Sequence, residues 1–568
     1  MSPDPSREDR SSRVISSMLW SAWADALGFI SELTDDAGLR RRLGHMPLNK
    51  PVAWQRRIGG RAGVKVALPA GCYSDDTQLR LATARAISHR GFDVESFANV
   101  ELAVWPAYAL GGGRASKAAA RNLAKPGMAW FGNFFDGWTA AGGNGAAMRI
   151  QPHVWAASEP ASLGPHLTDV LTNAVTTHGH PRALVGAVVH ALALGSILEA
   201  GEVPSPESWP RILDLAEQAI KLFDDHPQLA TIWRATWEKE TESSFSSTWR
   251  ETVDECRALL PTVSTIADEL SNSPAANADL RQAAYNRLIE SLGLSDPDFR
   301  GSGTTTVLAS LALAAGFPKN PQDCAVLAAR AVGTDTDTIA TMAAALVGAA
   351  NGAPADPDPI LDRSYLSEQA HRLASISRHE EVERFSYPDL LHWQPPRKQL
   401  DAVGAIGDDL ALAGLGYLTP VRQNQALYSS ETAWQWMKCD FGASFLLKRR
   451  AFPGRLPEGA WPVRPSWESR RYDNAVHNLL QTDIDVGSQH IQAMEPNLFN
   501  LDTIHEQKTG DQHHLGSVEV DAMLSWVARE NYRSDAIGYA VRRISEIGTL
   551  EQLIAFTAAL RERLPKTF

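Results

Sequence analysis

The chain has 568 residues, a formal net charge of −12, a 44% hydrophobic fraction and 21% charged residues. That is a globular composition, long enough for more than one domain, and its acidic balance excludes a general binder of nucleic acid or anionic membrane. Four scattered cysteines (Cys72, Cys256, Cys324, Cys439) form no CxxC, the N-terminus lacks a signal-peptide core, and apolar stretches such as 307–317 look too short or too interrupted by polar residues to span a bilayer, so a reducing, cytoplasmic location without a membrane partner is expected.

Residues 13–30, RVISSMLWSAWADALGFI, have the apolar and small residues of a buried helix. Asp25 lies inside this run and Glu32 follows it. A carboxylate among Trp23, Ala24, Ala26 and Leu27 needs a partner. A structural hydrogen bond and direct ligation of an ion are equally open readings. Residues 50–71 read as a loop or short extended excursion. A helix follows within 71–87, GCYSDDTQLRLATARAI, with Ser74, Asp75 and Asp76 at its start, where capping residues belong.

Helical patterning continues over 95–117, broken at Gly111, Gly112 and Gly113. The stretch 142–152, GGNGAAMRIQP, is glycine-rich backbone that a ligand can approach closely and that can cradle phosphate. An ordinary turn is its plainer reading, and it lacks the GxGxxG spacing of a dinucleotide fold. In TTHGHPRALVGAVVHALAL, Pro181 opens a helix with His178 and His180 just before it. His190 reads as a core histidine, whereas His178 is placed to hydrogen-bond a ligand hydroxyl.

Residues 204–292 read as amphipathic helical scaffold. The polar-capped apolar helix at 302–314, SGTTTVLASLALA, leads to the stretch that organises the chain: GTDTDT, 333–338, ahead of IATMAAALVGAANG. Asp335 and Asp337, two residues apart, converge only in a turn or in the first turn of a helix. Buried carboxylates need protons or a cation, and hard oxygen donors suit Mg²⁺, Mn²⁺ or Ca²⁺ rather than zinc. Taken alone, the stretch reads equally as a helix cap with a spare surface Asp. Facing the Ser74–Asp75–Asp76 cluster, it would enclose a cation.

One more helix is expected over 360–374. From about Arg378 the style changes. Trp393, Trp434, Trp436, Trp461 and Trp467 are interleaved with Lys448, Arg449, Arg450, Arg455, Arg464, Arg470 and Arg471, and an amphipathic helix is expected over 535–564. This predicts a second, smaller domain of mixed α/β character. Basic and aromatic residues together suit single-stranded nucleic acid. A small aromatic core with a solvated basic face is the favoured reading.

The motifs in order are DALGFISE with Asp25 and Glu32, SDDT at 74–77, GNGAAMR at 143–149, THGHP at 177–181, SGTTTVLA at 302–309, and GTDTDT. Together they resemble the ADP-ribosylglycohydrolase family, which includes the dinitrogenase reductase-activating glycohydrolases. The resemblance covers 13–377 and leaves 378–568 as a C-terminal domain of unknown role. It implies an all-α, orthogonal helical bundle with a binuclear Mg²⁺ (or Mn²⁺) centre at the bottom of a cleft. It also implies hydrolysis of an N- or O-glycosidic bond at C1″ of ADP-ribose carried by a macromolecule or a small molecule. By motif, Ser74, Asp75, Asp76, Asp335, Asp337 and Thr338 would be metal ligands. Asp75, Asp76, Asp335 and Asp337 would form the catalytic set with Glu32, which would order a water or the scissile ribose. Asn144, Gly145, Ala146, Ala147 and Met148 would hold the diphosphate or proximal ribose, His178 would contact the ribose, and Asp25 would support the site from behind. Ser74 stands where many members have Thr and keeps the hydroxyl, and Thr334 stands where a second Gly is common. The alternative is a catalytically silent ADP-ribose-binding module, or a protein that recruits a protein or nucleic-acid partner through its C-terminal domain. The presence of every ligand position and of Glu32 favours the enzyme.

Overall fold

The computed structural model describes residues 5–463 and 520–563, apart from 45, 60–62, 275–276, 357, 422–425, 531 and 548. The chain divides into two compact units, Met1–Arg464 and Pro465–Phe568. The principal helices of the first are α1 (Pro5–Ser31), α2 (Asp36–Leu43), α3 (Asp75–Arg85), α4 (Pro181–Ala200), α5 (Phe245–Asn272), α6 (Gly303–Gly316), α7 (Pro321–Ala329), α8 (Thr336–Ala349) and α9 (Arg363–Ser377).

Small residues decide how these helices pack. The most extensive pairing is between α1 and α8, which run antiparallel. A Cβ on Gly28 would lie 2.5 Å from Asp337 Cα, so only glycine admits this crossing. The hydroxyl of Thr336 donates to the Gly28 carbonyl at 2.9 Å. Farther along, Thr341 donates to the Ser21 carbonyl and Ser17 to the Ala345 carbonyl, each at 2.7 Å. Each buried hydroxyl thus has a partner, as a dry helix interface requires. The pairing carries the C-terminal end of α1, with Glu32 just beyond it, to the N-terminus of α8, where Asp335 and Asp337 stand. Helix α6 packs on α8, α5 and α4. At its start Gly303 lies so close to Arg182 and Gly186 of α4 that side chains on either glycine would collide with backbone.

By length and composition, α1 (over Arg10–Ser31) and α4 are apolar enough to cross a membrane. This corrects the expectation that the apolar stretches of the chain are too short or too interrupted by polar residues to span a bilayer. Their apolar windows are 94% and 83% buried inside the bundle, so core packing accounts for the hydropathy.

The excursion at 50–71 is an antiparallel hairpin of β1 (Trp54–Ile58) and β2 (Val64–Leu68), with Trp54 opposite Leu68 and Arg56 opposite Val66. Alternation buries Trp54, Val66 and Leu68 against the bundle. After the minimal hairpin β3 (Ile87–Ser88) and β4 (Gly91–Phe92), the remaining strands follow α9. These are β5 (Val403–Ile406), β6 (Asp409–Leu412), β7 (Gly416–Pro420), β8 (Leu427–Ser429), β9 (Thr432–Cys439) and β10 (Ser444–Arg450). They form an antiparallel sheet in the order β10-β9-β7-β6-β5, with β8 beside β9. Beyond β10 the chain returns to β5: Ala405 N–H donates to the Gly454 carbonyl at 2.8 Å, and Leu456 N–H to the Ala405 carbonyl at 2.9 Å. The sheet therefore curls back on itself, leaving less open edge.

The aromatic residues here are mostly core. Trp434 and Trp436 are buried. Arg449 is buried and bonded to Gln435 and to the carbonyls of Arg450 and Ala451. Arg450 pairs with Asp401 at 2.6 Å. Arg464, Trp467, Arg470 and Arg471 lie outside the described residues. By compactness the sheet belongs to the same unit as the bundle, and the second unit begins at Pro465.

In the second unit α10 (Val520–Arg529), α11 (Ser534–Ile547) and α12 (Leu550–Arg563) bury Leu524, Val527, Ala540, Ile544 and Phe556. The single helix expected over 535–564 is in fact two. Thr549 opens the second: its N–H donates to Gln552 Oε1 at 2.8 Å, and its hydroxyl accepts from Gln552 N–H at 3.3 Å. This reciprocal cap ends one helix and starts the next.

Candidate active site

A cleft of about 780 Å³ gathers residues from across the bundle. Glu32, Asp75, Asp76, Asn144, Gly145, Met148, His178, Asp335, Asp337 and Thr338 line it. Ser74 lies beneath the lining, fully buried, and Ala146 and Ala147 are buried in the backing of the loop.

The Asp75–Asp76 end is built on the first turn of α3, which Ser74 caps. The Asp76 N–H donates to Ser74 Oγ at 3.3 Å, and Ser74 Oγ donates to Asp76 Oδ2 at 3.2 Å. Asp25 takes the neighbouring donors: its Oδ1 accepts from Ser74 N–H and its Oδ2 from Thr77 N–H, both at 2.9 Å, and from the Thr77 hydroxyl at 2.6 Å. Of the two readings open for Asp25, the structure shows the hydrogen-bonding one. Buried Arg80 then ties the helices together. It donates to Ser21 Oγ of α1 at 3.0 Å, to Thr341 Oγ1 of α8 at 2.8 Å and to the Met148 carbonyl at 3.0 Å. Burial lowers Arg80 to about 10, so it stays charged at neutral pH beside Asp25 and Asp76. On the far side, a Cβ on Gly111 would collide with Asp75 Oδ1. The glycine break in the sequence thus leaves room for a carboxylate.

At the other end, Asp335 stands at the N-cap position of α8 without a side-chain capping hydrogen bond, and Asp337 sits in the first turn. Asn144 Nδ2 donates to Asp335 Oδ2 at 2.8 Å and to Thr306 Oγ1 at 3.2 Å, while Asn144 N–H donates to the Gly301 carbonyl at 2.8 Å. The glycine-rich loop is thereby fastened to the acidic end. Buried Arg149 holds the loop from beneath through the Gly145 carbonyl (3.1 Å), Asn173 (2.8 Å) and Thr177 Oγ1 (2.8 Å). Thr177 Oγ1 shares a 2.7 Å hydrogen bond with His178 Nδ1. Burial, with Arg149 adding to it, pushes His178 down to about 3, so its ring is neutral at physiological pH. His190 is a core histidine bonded to Gln151 at 2.9 Å.

Burial is also the main force on the acids. It pushes Glu32 up to about 8, against the pull of Arg56. It pushes Asp75 up to about 7, with Asp25 adding to the shift. Asp76 and Asp337 lie well above the ordinary carboxylate range, first from burial and then from Asp25 and Glu32 respectively. Asp76 Oδ1 is buried without a hydrogen-bond partner among the described residues. Acids crowded in this way want protons or a hard divalent cation. Among the described residues no three His, Cys, Asp or Glu side chains form a ready-made metal cage. The donors on offer are carboxylates from two helix starts together with the hydroxyls of Ser74 and Thr338, a set whose chemistry fits Mg²⁺ or Mn²⁺.

Sequence reading missed the outer cleft, where Arg114, Phe135, His180, Arg182, Phe299 and Arg300 contribute to the lining. Only His180, in the THGHP stretch, carried a local signal. The others come from loops and helix starts without periodicity.

The family model for ADP-ribosylglycohydrolase matches residues 6–385. Uncharacterized protein YegU of Escherichia coli (strain K12) is 28% identical over 218 residues, 38% of this chain and 52% of that protein. The chain thus spans about half the length of that curated relative. A solved structure described as an ADP-ribosylglycohydrolase-related protein complex aligns with a TM-score of 0.40 at 22% identity, covering 65% of this chain and 99% of the other.

Proposed function

The chain belongs to the ADP-ribosylglycohydrolase family, and we propose that it hydrolyses the N- or O-glycosidic bond at C1″ of ADP-ribose attached to an acceptor, releasing free ADP-ribose. The observation that carries this reading is the meeting of two acidic helix starts, Asp75–Asp76 and Asp335–Asp337, with Glu32 in one cleft. Ser74, Asp75, Asp76, Asp335, Asp337 and Thr338 are the residues to hold two divalent cations, Mg²⁺ or Mn²⁺. Bound there, such ions supply Lewis acidity and orient substrate oxygens.

The chain's own groups do the rest. Burial pushes the Glu32 carboxyl up to about 8; in its ionised form it orders the attacking water and takes its proton, while the acceptor leaves with a proton in place of ADP-ribose. The loop from Asn144 to Met148 offers backbone to the diphosphate or proximal ribose, and Asn144 keeps Asp335 oriented while it does so. Neutral His178, its Nδ1 engaged by Thr177, has Nε2 left for a ribose hydroxyl. Arg300 on the cleft lining favours an anionic substrate, whereas Arg182 is paired with Glu255 at 3.2 Å.

The test is turnover by Asp335→Ala and Asp337→Ala proteins on the linkage that the wild type cleaves. Loss of about a hundredfold or more with the fold retained is expected for a removed site ligand. Full turnover by both variants rules the mechanism out.

A further inference from the structure

Residues between Glu32 and Thr338 line the cleft, so the sheet β5–β10 reaches the site only through an intermediate. The hairpin β1–β2 is one such intermediate. Its inner face makes a layered stack with the end of α1. The Arg42 guanidinium lies 4.8 Å over the Trp54 ring, Trp54 meets Phe29 edge-on at 5.3 Å, and Arg56 lies 4.7 Å over Phe29. Cation–π contacts of this kind hold a flexible side chain in one place. Arg56 and Trp54, two residues apart on a strand, share this face.

The stack ends at Glu32. Arg42 donates to the backbone carbonyls of Ile30 and Glu32, at 2.7 and 2.9 Å. Arg56 instead addresses the side chain: its Nη1 is 3.7 Å from Glu32 Oε2. That oxygen is buried and accepts no hydrogen bond among the described residues. Its orientation therefore rests on the charge of Arg56, set against the neighbouring acids of the cleft. On the outer side of the hairpin, Trp436 Nε1 of β9 donates to the Ala67 carbonyl at 3.1 Å. The Trp434 ring lies against Gly59, where a Cβ would come within 2.8 Å of it.

We propose that Arg56 is a positioning residue for Glu32, and that the sheet, through Trp434 and Trp436, is the brace that holds Arg56's hairpin against the site. The sheet thereby has a role in the chemistry without touching substrate. The inference rests on the reading of Glu32 as the proton-transfer group.

The experiment compares the full-length wild type with Arg56→Gln, Arg56→Lys and Trp436→Phe by two readouts. Backbone amide exchange is followed over residues 29–35, and kcat and KM are measured for ADP-ribose release. Arg56→Gln is expected to speed exchange at 29–35 while leaving α8 protected. It is also expected to lower kcat by about ten- to a hundredfold, the range for losing an outer partner of a site group, with KM within about twofold. Arg56→Lys restores most of kcat because it returns the charge, which a merely structural defect would not allow. Trp436→Phe keeps an aromatic ring, though a smaller one, and removes the N–H donor, and it speeds exchange in the hairpin and at 29–35 to a smaller extent. Arg56→Gln with wild-type exchange and wild-type kcat overturns the proposal, as does a loss that Lys fails to rescue. Should the wild type release no ADP-ribose from any linkage, the functional reading falls, and the exchange arm alone still decides whether Arg56 orders the Glu32 segment.

Discussion

Asp25 and Ser74 are joined by a buried hydrogen bond, the backbone N–H of Ser74 donating to Asp25 Oδ1 at 2.9 Å, while the second oxygen of Asp25 takes both donors of Thr77. A side chain of α1 thus satisfies the free N–H groups that open α3, and with them fixes where Asp75 and Asp76 begin. Asp25→Asn puts an NH₂ where one of these donors points. It should cost about 1–3 kcal/mol, the usual penalty for an unsatisfied buried donor. Denaturant unfolding checks this, and a variant as stable as the wild type would contradict the assignment.

Metal loading should be visible without turnover. Asp76 Oδ1 has no hydrogen-bond partner among the described residues, and Asp337 is crowded by Glu32 and Asp76. Adding Mg²⁺ or Mn²⁺ to chelator-treated protein should raise the melting temperature, by about 2.7 kcal/mol of stabilisation at a hundredfold excess over Kd. Asp76→Asn and Asp337→Asn should blunt that shift. A wild type whose melting temperature ignores both ions would count against the cation site.

Gly111 has no side chain because Asp75 occupies the space. Its backbone is not in the left-handed region, so Gly111→Ala should fold. Displacing the Asp75 carboxylate by about an ångström should lower turnover about tenfold or more. The comparison is turnover against melting temperature: normal turnover, or a fall explained by unfolding, would defeat the prediction.

Acid should weaken the fold through its buried histidines. Burial pushes His166 down from 6.5 to about 4, so the unfolded chain binds that proton first. The histidine's contribution is fully present above about 6.5 and is lost as pH falls toward 4. His166→Gln removes the titration, so the wild type should lose up to about 3 kcal/mol relative to the variant across that window. Parallel pH profiles for the two proteins would contradict this.

Both acidic helix starts were legible because their signals are local. Ser74, Asp75 and Asp76 precede one apolar helix, Asp335 and Asp337 precede another, and each carries the capping chemistry of a first turn. That Gly28 brings Asp337 onto the end of α1 was not legible, since a glycine inside a helix does not say which backbone it admits. Phe299 and Arg300 sit in an irregular loop and reach the cleft only through tertiary folding. Arg56 looked like one charge in a short excursion, and its meaning depends on Phe29 and Glu32, which lie in another element. Thr549 was hidden because amphipathic periodicity runs on through a reciprocal cap. The sheet's membership in the larger unit depends on contacts such as Trp436 with Ala67, which connect residues far apart in the chain.

The central claim is metal-dependent hydrolysis of an ADP-ribose linkage, and the most direct measurement is ADP-ribose release by the wild type. The substrates carry ADP-ribose on arginine, on serine and on a nucleic-acid base, each assayed with Mg²⁺ and with chelator. The account predicts release from at least one linkage with Mg²⁺ and its loss with chelator. Release that is indifferent to chelator, or no release from any linkage, would contradict it.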